Sequence, residues 1–386
     1  MSRPALRGTP LVVMATTNDQ WQDQRMQRWC RILAEEGWRI LWIGVDRNRR
    51  VSLPDHAGLT CQRVRVRPSK GLWFYAFYNL ALLRKSVAAR ADLYLSVDAD
   101  TLPALRLASW MRGSLLWFDA HEWFTEVPEL TGRPWVRAVW KGLIRLFLRK
   151  PVQCYTVGPS LAAILAREWG QPFRVLRNMP YRETESDSPT FPPEQAQEVR
   201  GLPLPASYLL YQGALNRGRG LEVLLQAVRT GLPLPLVLAG SGDLDPYLAD
   251  LVGQWGLQDK VLMTGPLTPT ELKSVTRTAV LGFNLLDSSA PSYYYSLANK
   301  FFDYVQAGIP QICMKFPEYE ILMEEYRVGW LTESLHPETL ADLIRRVVQS
   351  PTDLALARDC CRQAAATWNW QVESKTLRED LRALRS

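Results

Sequence analysis

The most informative segment of the chain is Tyr211-Gln-Gly-Ala-Leu-Asn-Arg-Gly-Arg-Gly-Leu-Glu222. A strand pattern over 208–211 precedes its glycines, and an amphipathic helix pattern over 220–229 follows them. Glycines let a backbone approach a ligand closely, and the first N–H groups of a helix attract anions. Arg217 and Arg219 add positive charge at the same point, and no Gly-Lys-Ser/Thr sequence follows, so this is not a P-loop. The pattern predicts a diphosphate cradle, with an ordinary turn carrying two solvated arginines as the alternative.

Short apolar strand patterns alternate with amphipathic helix patterns on both sides of this stretch. Strands are expected over 11–15, 38–45, 92–97, 114–118, 153–157, 208–211, 234–239, 261–264, 280–285 and 311–314. Such alternation predicts an α/β architecture with parallel sheets. A segment over 181–205 that is rich in Pro, Glu, Asp and Ser predicts a linker. Domains over 1–180 and 206–366 follow, as suits 386 residues, and a cleft between such domains is where ligands bind.

Positive charge is concentrated in the first half of the chain. Residues 1–200 contain 29 Lys and Arg against 19 Asp and Glu, whereas residues 201–386 contain 17 against 20. This asymmetry indicates an anionic partner for the first half, such as a membrane surface, a lipid phosphate or a nucleic acid. No nucleic-acid-binding motif accompanies the charge, so nucleic acid is not expected. The six cysteines form no C-x-x-C pair, which predicts reduced thiols and no structural zinc.

A second informative segment runs from Ser296 to Pro310. Asn299 is the expected N-cap of a helix there. Lys300 then falls in the first turn, where a cation is unfavourable unless an anion docks at the same helix end. Asp303 follows at i+3 and shares a face with Lys300, so it could hold the two ribose hydroxyls of a nucleotide. A surface Lys–Asp ion pair is the alternative.

These two segments resemble the retaining GT-B glycosyltransferases of the large GT4 family. The family's G-x-L-x-x-x-K-G loop reads Gly213-Ala-Leu-Asn-Arg-Gly-Arg-Gly220 here, with Arg219 at the lysine position and Ala214 in place of the usual arginine. Its E-x7-E signature aligns the second acid with Asp303 and the first with Tyr295, so the first acid is absent. Asn299 to Tyr304 resembles the N-K-x-[FL]-[ED]-Y form found in a subset of such enzymes.

The first half is similar to the same family. A helix expected over 21–36, with Asp19 as its cap, resembles the family's first helix, and Asp119-Ala-His-Glu122 resembles its D-x-H-E segment. Asn178-Met-Pro180 resembles an N-x-P at the end of the domain. The resemblance implies two Rossmann-like domains with parallel sheets facing across a cleft. It also implies that the last helix, over 367–386, crosses back to the first domain.

The resemblance assigns roles to individual residues. It implies catalytic roles for His121, Arg219 and Lys300, donor binding by Gly213, Arg217, Gly218, Gly220, Gly240, Gly265, Tyr295, Asn299 and Asp303, and acceptor-side roles for Asp19, Asp23, Arg25 and Glu122. His121 would hydrogen-bond a sugar hydroxyl and steady positive charge at the anomeric carbon, although a lone histidine is more often structural. Asp98-Ala-Asp100 resembles a metal-binding D-x-D, but we expect a structural or acceptor-side role. The resemblance implies no metal and no cofactor, with a UDP- or GDP-linked sugar as co-substrate.

One helical pattern is both basic and apolar. Its Lys and Arg residues recur every four positions, at Arg133, Arg137, Lys141, Arg145 and Arg149. Basic amphipathic helices can lie on anionic membranes, so peripheral contact through 133–150 is expected, with a core helix carrying a solvated stripe as the alternative. The aromatic stretch over 72–83 could line an acceptor groove or simply pack.

The sequence therefore predicts retaining transfer of a sugar from a nucleotide diphosphate to a glycan or lipid-linked acceptor, in cell-envelope or polysaccharide synthesis. Two alternatives stay open: a non-hydrolysing sugar-nucleotide epimerase, and a non-catalytic nucleotide-sugar-binding protein on the same fold. No apolar run approaches the ~20 residues that span a bilayer, and the first residues lack a signal-peptide pattern. We expect a cytosolic protein that also meets the inner face of a membrane.

Overall fold

The computed structural model describes residues 8–18, 20, 23–46, 58–149, 152–182 and 198–385. The chain divides into two compact units. The first comprises Met1–Asn178 and Glu373–Ser386, and the second comprises Met179–Val372. Most of the linker expected over 181–205 lies outside the described residues, as do Asp19 and His56. No helix within the described ranges is both long and apolar enough to cross a membrane.

The elements alternate along the chain as expected for an α/β protein. The strands are β1 (Leu11–Ala15), β2 (Arg39–Val45), β3 (Leu59–Val64), β4 (Leu93–Val97), β5 (Leu115–Ala120), β6 (Val152–Thr156), β7 (Phe173–Val175), β8 (Glu198–Val199), β9 (Leu202–Pro203), β10 (Leu209–Gln212), β11 (Leu236–Ala239), β12 (Val261–Gly265), β13 (Leu281–Asn284), β14 (Gln311–Met314) and β15 (Gly329–Thr332). The helices are α1 (Gln24–Glu35), α2 (Leu72–Ala89), α3 (Asp98–Arg112), α4 (Pro134–Phe147), α5 (Pro159–Trp169), α6 (Leu221–Arg229), α7 (Asp245–Gln254), α8 (Pro269–Thr278), α9 (Pro291–Tyr294), α10 (Asn299–Gln306), α11 (Pro317–Glu325), α12 (Pro337–Val348), α13 (Pro351–Thr367), α14 (Trp370–Glu373) and α15 (Lys375–Ala383).

The first unit is built on a seven-stranded parallel sheet with the order β3-β2-β1-β4-β5-β6-β7. Its central strands are buried on both faces, as β4 shows along its whole length, because helices cover a parallel sheet on both sides. The strand order reverses between β1 and β4, which is where open α/β sheets bind ligands. The sequence missed the two edge strands, β3 and β7.

The second unit repeats this design with six parallel strands in the order β12-β11-β10-β13-β14-β15. The order reverses between β10 and β13, so the switch point lies at the carboxyl end of β10. A large core of apolar side chains joins this sheet to α6, α10, α12 and α13. The sequence missed the edge strand β15. A separate two-residue antiparallel pair, β8 with β9, precedes the sheet.

The first helix begins later than the sequence predicted. Helix α1 begins at Gln24 rather than at 21, and its cap is Asp23, whose side chain accepts a hydrogen bond from Met26 N at 3.1 Å. Helix α15 lies in the first unit, as the predicted crossing helix required. Arg378 and Arg382 on α15 donate to Glu36 at 3.1 and 2.8 Å, and the buried Leu377 and Leu381 add an apolar contact face.

Candidate functional site

Three glycines stand at the carboxyl ends of three neighbouring strands in the second unit. Gly213 follows β10, Gly240 follows β11, and Gly265 ends β12. Backbone hydrogen bonds continue the ladder here, from Gly213 N to Ala239 O at 2.9 Å and from Gly240 N to Gly265 O at 3.0 Å. A Cβ on Gly240 would lie 1.9 Å from the carbonyl oxygen of Gly213. The edge of the sheet is therefore bare backbone beside the switch point, as a diphosphate cradle requires.

The loop from Gly213 to helix α6 depends on two more glycines. Gly218 and Gly220 have φ angles of 79° and 70°. A Cβ on Gly218 would lie 2.9 Å from the ring of Tyr293, and one on Gly220 would lie 2.6 Å from Leu285 O. Gly220 is also the N-cap of α6 and offers no side-chain acceptor, so the first N–H groups of that helix stay open to an anion.

Two cationic side chains meet on one tyrosine beside these glycines. The Nζ atom of Lys300 lies 3.6 Å from the ring centroid of Tyr211, and Lys300 is only 9% exposed. The Tyr211 hydroxyl donates to Ala214 O at 3.0 Å and is hydrogen-bonded to Arg219. Burial raises the pKa of Tyr211 to about 12, with the positive charge of Arg219 acting against that shift. Arg219 and Lys300 thus converge on one point, next to Gly213.

Neither Arg219 nor Lys300 forms an ion pair with a residue in the part of the chain that the structure describes. Burial, and then the nearby Arg219, hold the pKa of Lys300 well below its ordinary value, and Asp303 opposes this shift only partly. The Nε atom of Arg219 is buried and has no hydrogen-bond partner among the described residues. Buried cations without a bound counter-charge are costly. The site is therefore electrostatically prepared for an anion.

Asp303 is fixed one turn beyond Lys300 on α10. Its carboxylate accepts a hydrogen bond from Gln212 Nε2 at 3.5 Å, and Gln212 Oε1 accepts one from Thr276 at 2.7 Å. The backbone N–H of Gln212 donates to the Tyr304 hydroxyl at 3.2 Å. Asp303 is thus held at the end of β10, half-buried. It shares its helix face with Lys300, as the i+3 spacing predicted.

The other residues predicted to bind the donor lie on the glycine loop or at and before the start of α10. Asn299 is exposed and is the first residue of α10; the N-cap is Ala298, so the expectation of an Asn299 cap is wrong by one residue. Arg217 is exposed on the glycine loop. Tyr295 follows the short helix α9 and packs edge-on against Tyr294, with ring centroids 4.9 Å apart. An aromatic ring therefore stands where the family resemblance led us to expect a carboxylate.

In the first unit, His121 lies between two carboxylates at the carboxyl ends of β4 and β5. Its Nε2 atom is 3.1 Å from Asp119 Oδ2, and its Nδ1 atom is 3.8 Å from Asp98 Oδ2. The backbone N–H of His121 donates to Asp98 Oδ1 at 2.9 Å. Asp98 has a φ of 54°, a left-handed conformation that is unusual for any residue but glycine. A strained acid of this kind is typical of a functional position.

The charged side chains of this cluster shift one another's pKa values. Burial alone would lower the pKa of His121, but Asp98 and Asp119 raise it to about 9. Burial raises the pKa of Asp98 to about 7 against the pull of His121. Burial would also raise the pKa of Asp119, yet Arg25 and His121 bring it well below its ordinary value. At neutral pH the imidazole is therefore protonated. A cationic ring repels a developing positive charge, so its hydrogen-bonding role is the one that the geometry favours.

Two of the acceptor-side residues also belong to this cluster. Arg25 is buried and holds Asp119 through two hydrogen bonds, from Nε at 2.8 Å and from Nη2 at 2.7 Å, while its Nη1 donates to Leu176 O at 2.6 Å. The Oδ2 atom of Asp23 is buried and unpaired within the described part of the chain, and burial raises the pKa of that carboxyl. Arg25 therefore positions Asp119, and Asp23 is the member of the pair that could receive a ligand.

Sequence reasoning missed two residues of these sites. Asp98 was recognised only as part of a D-x-D, although its position directly after a buried strand was a signal. Tyr211 was read as the last residue of a strand, since its contact with Lys300 joins positions 89 residues apart. No cluster of three or more His, Cys, Asp or Glu side chains suited to a metal ion occurs in the ranges that the structure describes.

Residues 194–367 match the sequence model of the family described as "Glycosyl transferases group 1". This matched region, which makes up less than half of the 386 residues, is similar to the group 1 glycosyltransferases. Over 202 residues the chain is 25% identical to a D-inositol 3-phosphate glycosyltransferase of Corynebacterium urealyticum, covering 50% of this chain and 46% of that protein. Over 144 residues it is 28% identical to an uncharacterized glycosyltransferase, MJ1607, of Methanocaldococcus jannaschii, covering 36% of this chain and 35% of that protein. The matches thus span less than half the length of these curated relatives.

Solved structures show the same fold over nearly the whole length of the chain. The sucrose-phosphate synthase of Thermosynechococcus elongatus matches with a TM-score of 0.76 at 16% identity, covering 97% of this chain and 99% of that one. Anabaena Alr3699/HepE in complex with UDP-glucose matches with a TM-score of 0.71 at 15% identity, covering 97% and 100%. WaaG, involved in lipopolysaccharide biosynthesis, matches with a TM-score of 0.73 at 13% identity, covering 96% and 99%. The GT-B fold predicted from the sequence is confirmed.

Proposed function

We propose that the protein transfers a sugar from a nucleotide diphosphate to an acceptor hydroxyl, with retention at the anomeric carbon. The observation that carries this proposal is the meeting of Arg219 and Lys300 on Tyr211, beside the bare strand end at Gly213. Negative charge builds on the diphosphate as the sugar–phosphate bond breaks. Preorganised cations that receive this charge lower the barrier, because they need not reorganise during the reaction.

On the donor side, the diphosphate would lie against Arg219, Lys300 and the open N–H groups of α6. Arg217, exposed on the same loop, would add a further phosphate contact. Asp303 would accept hydrogen bonds from the ribose hydroxyls. The donor is a UDP- or GDP-linked sugar, and UDP-glucose is the first to test, because Alr3699/HepE was solved with it. The reaction proceeds without a metal or cofactor, since the two side chains and the helix end supply the positive charge.

The first unit would serve the sugar and the acceptor. His121, protonated between Asp98 and Asp119, would donate a hydrogen bond to a hydroxyl of the transferred sugar. Glu122 and Asp23 would contact the acceptor. Glu122 would serve as a base or as a ligand there. Asp98 is a further candidate, since a carboxyl with a pKa of about 7 can exchange a proton near neutral pH.

The acceptor would be a glycan or a lipid-linked intermediate of cell-envelope or polysaccharide synthesis, met by a cytosolic enzyme at the inner face of a membrane. Positive charge in the first half and the role of WaaG in lipopolysaccharide biosynthesis support this class. Contact with an anionic membrane through 133–150 belongs to the same proposal.

The test is release of UDP from UDP-glucose and of GDP from GDP-mannose, with and without membrane lipid extract. We expect release that rises with a suitable acceptor, and a product that keeps the anomeric configuration by NMR. Arg219→Ala and Lys300→Ala should abolish it, whereas Arg346→Ala and Lys260→Ala, which change exposed residues elsewhere, should not. Formation of an epimer from donor alone would identify the epimerase instead. Binding of nucleotide sugar without turnover would identify a non-catalytic binding protein.

A further inference from the structure

Helix α2 presents large apolar side chains to the outside of the first unit. Its residues Phe74, Tyr78 and Leu82 enter the core. On the opposite side, Trp73 is 64% exposed, and its ring stacks on that of the exposed Phe77 with centroids 6.0 Å apart. The exposed apolar residues of this helix are Leu72, Trp73, Phe77 and Leu80. The aromatic stretch over 72–83 therefore packs on one side only.

Helix α4 has the same two-sided construction. Trp140 and Ile144 are buried in the core that also takes up the inner face of α2, while Trp135 is 85% exposed. The exposed apolar residues of this helix are Trp135, Val136, Val139 and Leu146. The two helices touch through one pair of rings, since Tyr75 on α2 and Trp140 on α4 meet edge-on with ring centroids 5.0 Å apart. Their outer faces thus point away from one common core.

The two sequence segments that contain these helices carry charge of a single sign. Residues 61–91 contain seven Lys and Arg and no Asp or Glu, and residues 131–149 contain five and none. Arg137 forms an ion pair with Glu126 at 3.2 Å. Lys141 forms ion pairs with Glu126 and with Glu168, both at 3.0 Å. The predicted basic stripe is thus partly neutralised. Other basic side chains here are exposed and make no ion pair with any described residue; they are Lys70, Arg84, Arg133, Arg145 and Arg149.

We propose that the outer faces of α2 and α4 together form one docking surface for an anionic lipid leaflet. This outer surface is defined by Leu72, Trp73, Phe77, Leu80, Trp135, Val136, Val139 and Leu146. Apolar patches of this kind mark interaction sites. Aromatic rings favour the headgroup boundary of a bilayer, and each Lys or Arg close to an anionic leaflet strengthens binding to it. The sign of the charge favours lipid over a protein partner, which would have to be acidic.

The surface lies on the part of the unit that the acceptor would use. Helices α2 and α4 each return the chain to the start of the next parallel strand, so both begin at the edge where strands end. His121 and Asp98 lie at that same edge. A lipid-linked acceptor in the leaflet would therefore be presented near the cluster. This consequence rests on the proposed function, and the α4 half of the surface deepens the membrane contact proposed there; binding to vesicles is tested without any transferase activity.

The experiment is flotation of the full chain with vesicles of phosphatidylcholine, alone or mixed with phosphatidylglycerol, at low and high salt. We expect binding to the mixed vesicles that weakens with salt. Trp73→Ser with Phe77→Ser, and separately Trp135→Ser with Val139→Ser, should each lower partitioning about tenfold or more. Leu356→Ser, at an exposed leucine of the second unit that is 59% exposed, should change nothing. Arg133→Ala with Arg145→Ala should lower binding to the mixed vesicles only.

UDP binding, measured on the same proteins, separates this inference from the proposed function. The surface variants should bind UDP as the wild type does, and Lys300→Ala should float as the wild type does. The inference is overturned if the wild type does not float with the mixed vesicles. It is also overturned if the substitutions on only one of the two helices lower binding. It is also overturned if the wild type self-associates on a sizing column and the surface variants do not, since the surface would then cover a second copy of the chain.

Discussion

Replacing Tyr211 tests whether one ring positions both donor-binding cations. The side chain is fully buried, with its face under Lys300 Nζ at 3.6 Å and its hydroxyl on Ala214 O at 3.0 Å. Tyr211→Leu removes the ring, and Tyr211→Phe keeps the ring but removes the hydroxyl. The two variants separate the cation–π contact from the hydrogen bonds that hold the loop and Arg219.

The expected sizes differ between the two variants. A desolvated cation–π contact is worth about 2 kcal/mol, so Tyr211→Leu should weaken UDP binding roughly 30-fold. Loss of a neutral hydrogen bond costs about 1 kcal/mol, so Tyr211→Phe should weaken it roughly fivefold. Isothermal titration with UDP, well below each variant's melting temperature, measures both.

A pH series adds a readout that a purely structural role would not move. The ring stabilises the ammonium form of Lys300, whose pKa is already held low by burial and by Arg219. Removing the ring should lower the pKa of Lys300 further, so UDP binding by Tyr211→Leu should begin to fail at a lower pH than in the wild type. Equal UDP affinities and pH profiles for wild type and Tyr211→Leu would show that the ring does not stabilise the ammonium form of Lys300. So would a Tyr211→Phe variant as weak as Tyr211→Leu.

Three further predictions concern glycine, charge and pH. Gly218→Ala places a methyl group 2.9 Å from the ring of Tyr293, at a φ of 79°. It should lower the free energy of unfolding by about 2–3 kcal/mol. Gly231→Ala, at a φ of 90° in open space, should cost only about 1 kcal/mol by urea unfolding; equal costs would contradict the clash. In the wild-type protein, the affinity for UDP measured by titration should fall as pH rises through the lowered pKa of Lys300, because a diphosphate favours the ammonium form. An affinity that stays constant up to about pH 10 would contradict this prediction. His121 has its pKa raised from 6.5 to about 9, so its stabilisation is present below pH 6.5 and is lost as pH rises to about 9, by at most about 3 kcal/mol. Comparing urea unfolding of wild type and His121→Gln across this range measures the loss, and parallel curves would contradict it.

Much of the fold could be predicted because central elements carry strong local patterns. Strands β1 and β14 were predicted with their observed ends, and the strand and helix on either side of the Gly213 loop were placed to within one residue. The three missed strands of the main sheets, β3, β7 and β15, are all edge strands. An edge strand has one neighbour only and needs fewer apolar side chains, so β3 reads Leu-Thr-Cys-Gln-Arg-Val and shows no apolar run.

The site could be predicted only where its residues are close in sequence. Lys300 and Asp303 share a helix face, so their spacing alone related them. The meeting of Lys300 with Tyr211, and of His121 with Asp98, depends on which strands lie side by side. Charge states depend on the same long-range packing, and for this reason the protonated state of His121 was not predicted.

A double-variant cycle on ligand affinity tests whether Arg219 and Lys300 contact one diphosphate. Arg219→Ala, Lys300→Ala and the combined variant are titrated with UDP and with uridine, which lacks the diphosphate. A hydrogen bond to a charged group contributes about 1.5–3 kcal/mol, so each single change should weaken UDP binding about tenfold or more. The combined loss should differ from the sum of the single losses, because the two side chains contact one diphosphate, and uridine binding should not change. Wild-type UDP affinity in either single variant, or equal losses for uridine and UDP, would contradict the account.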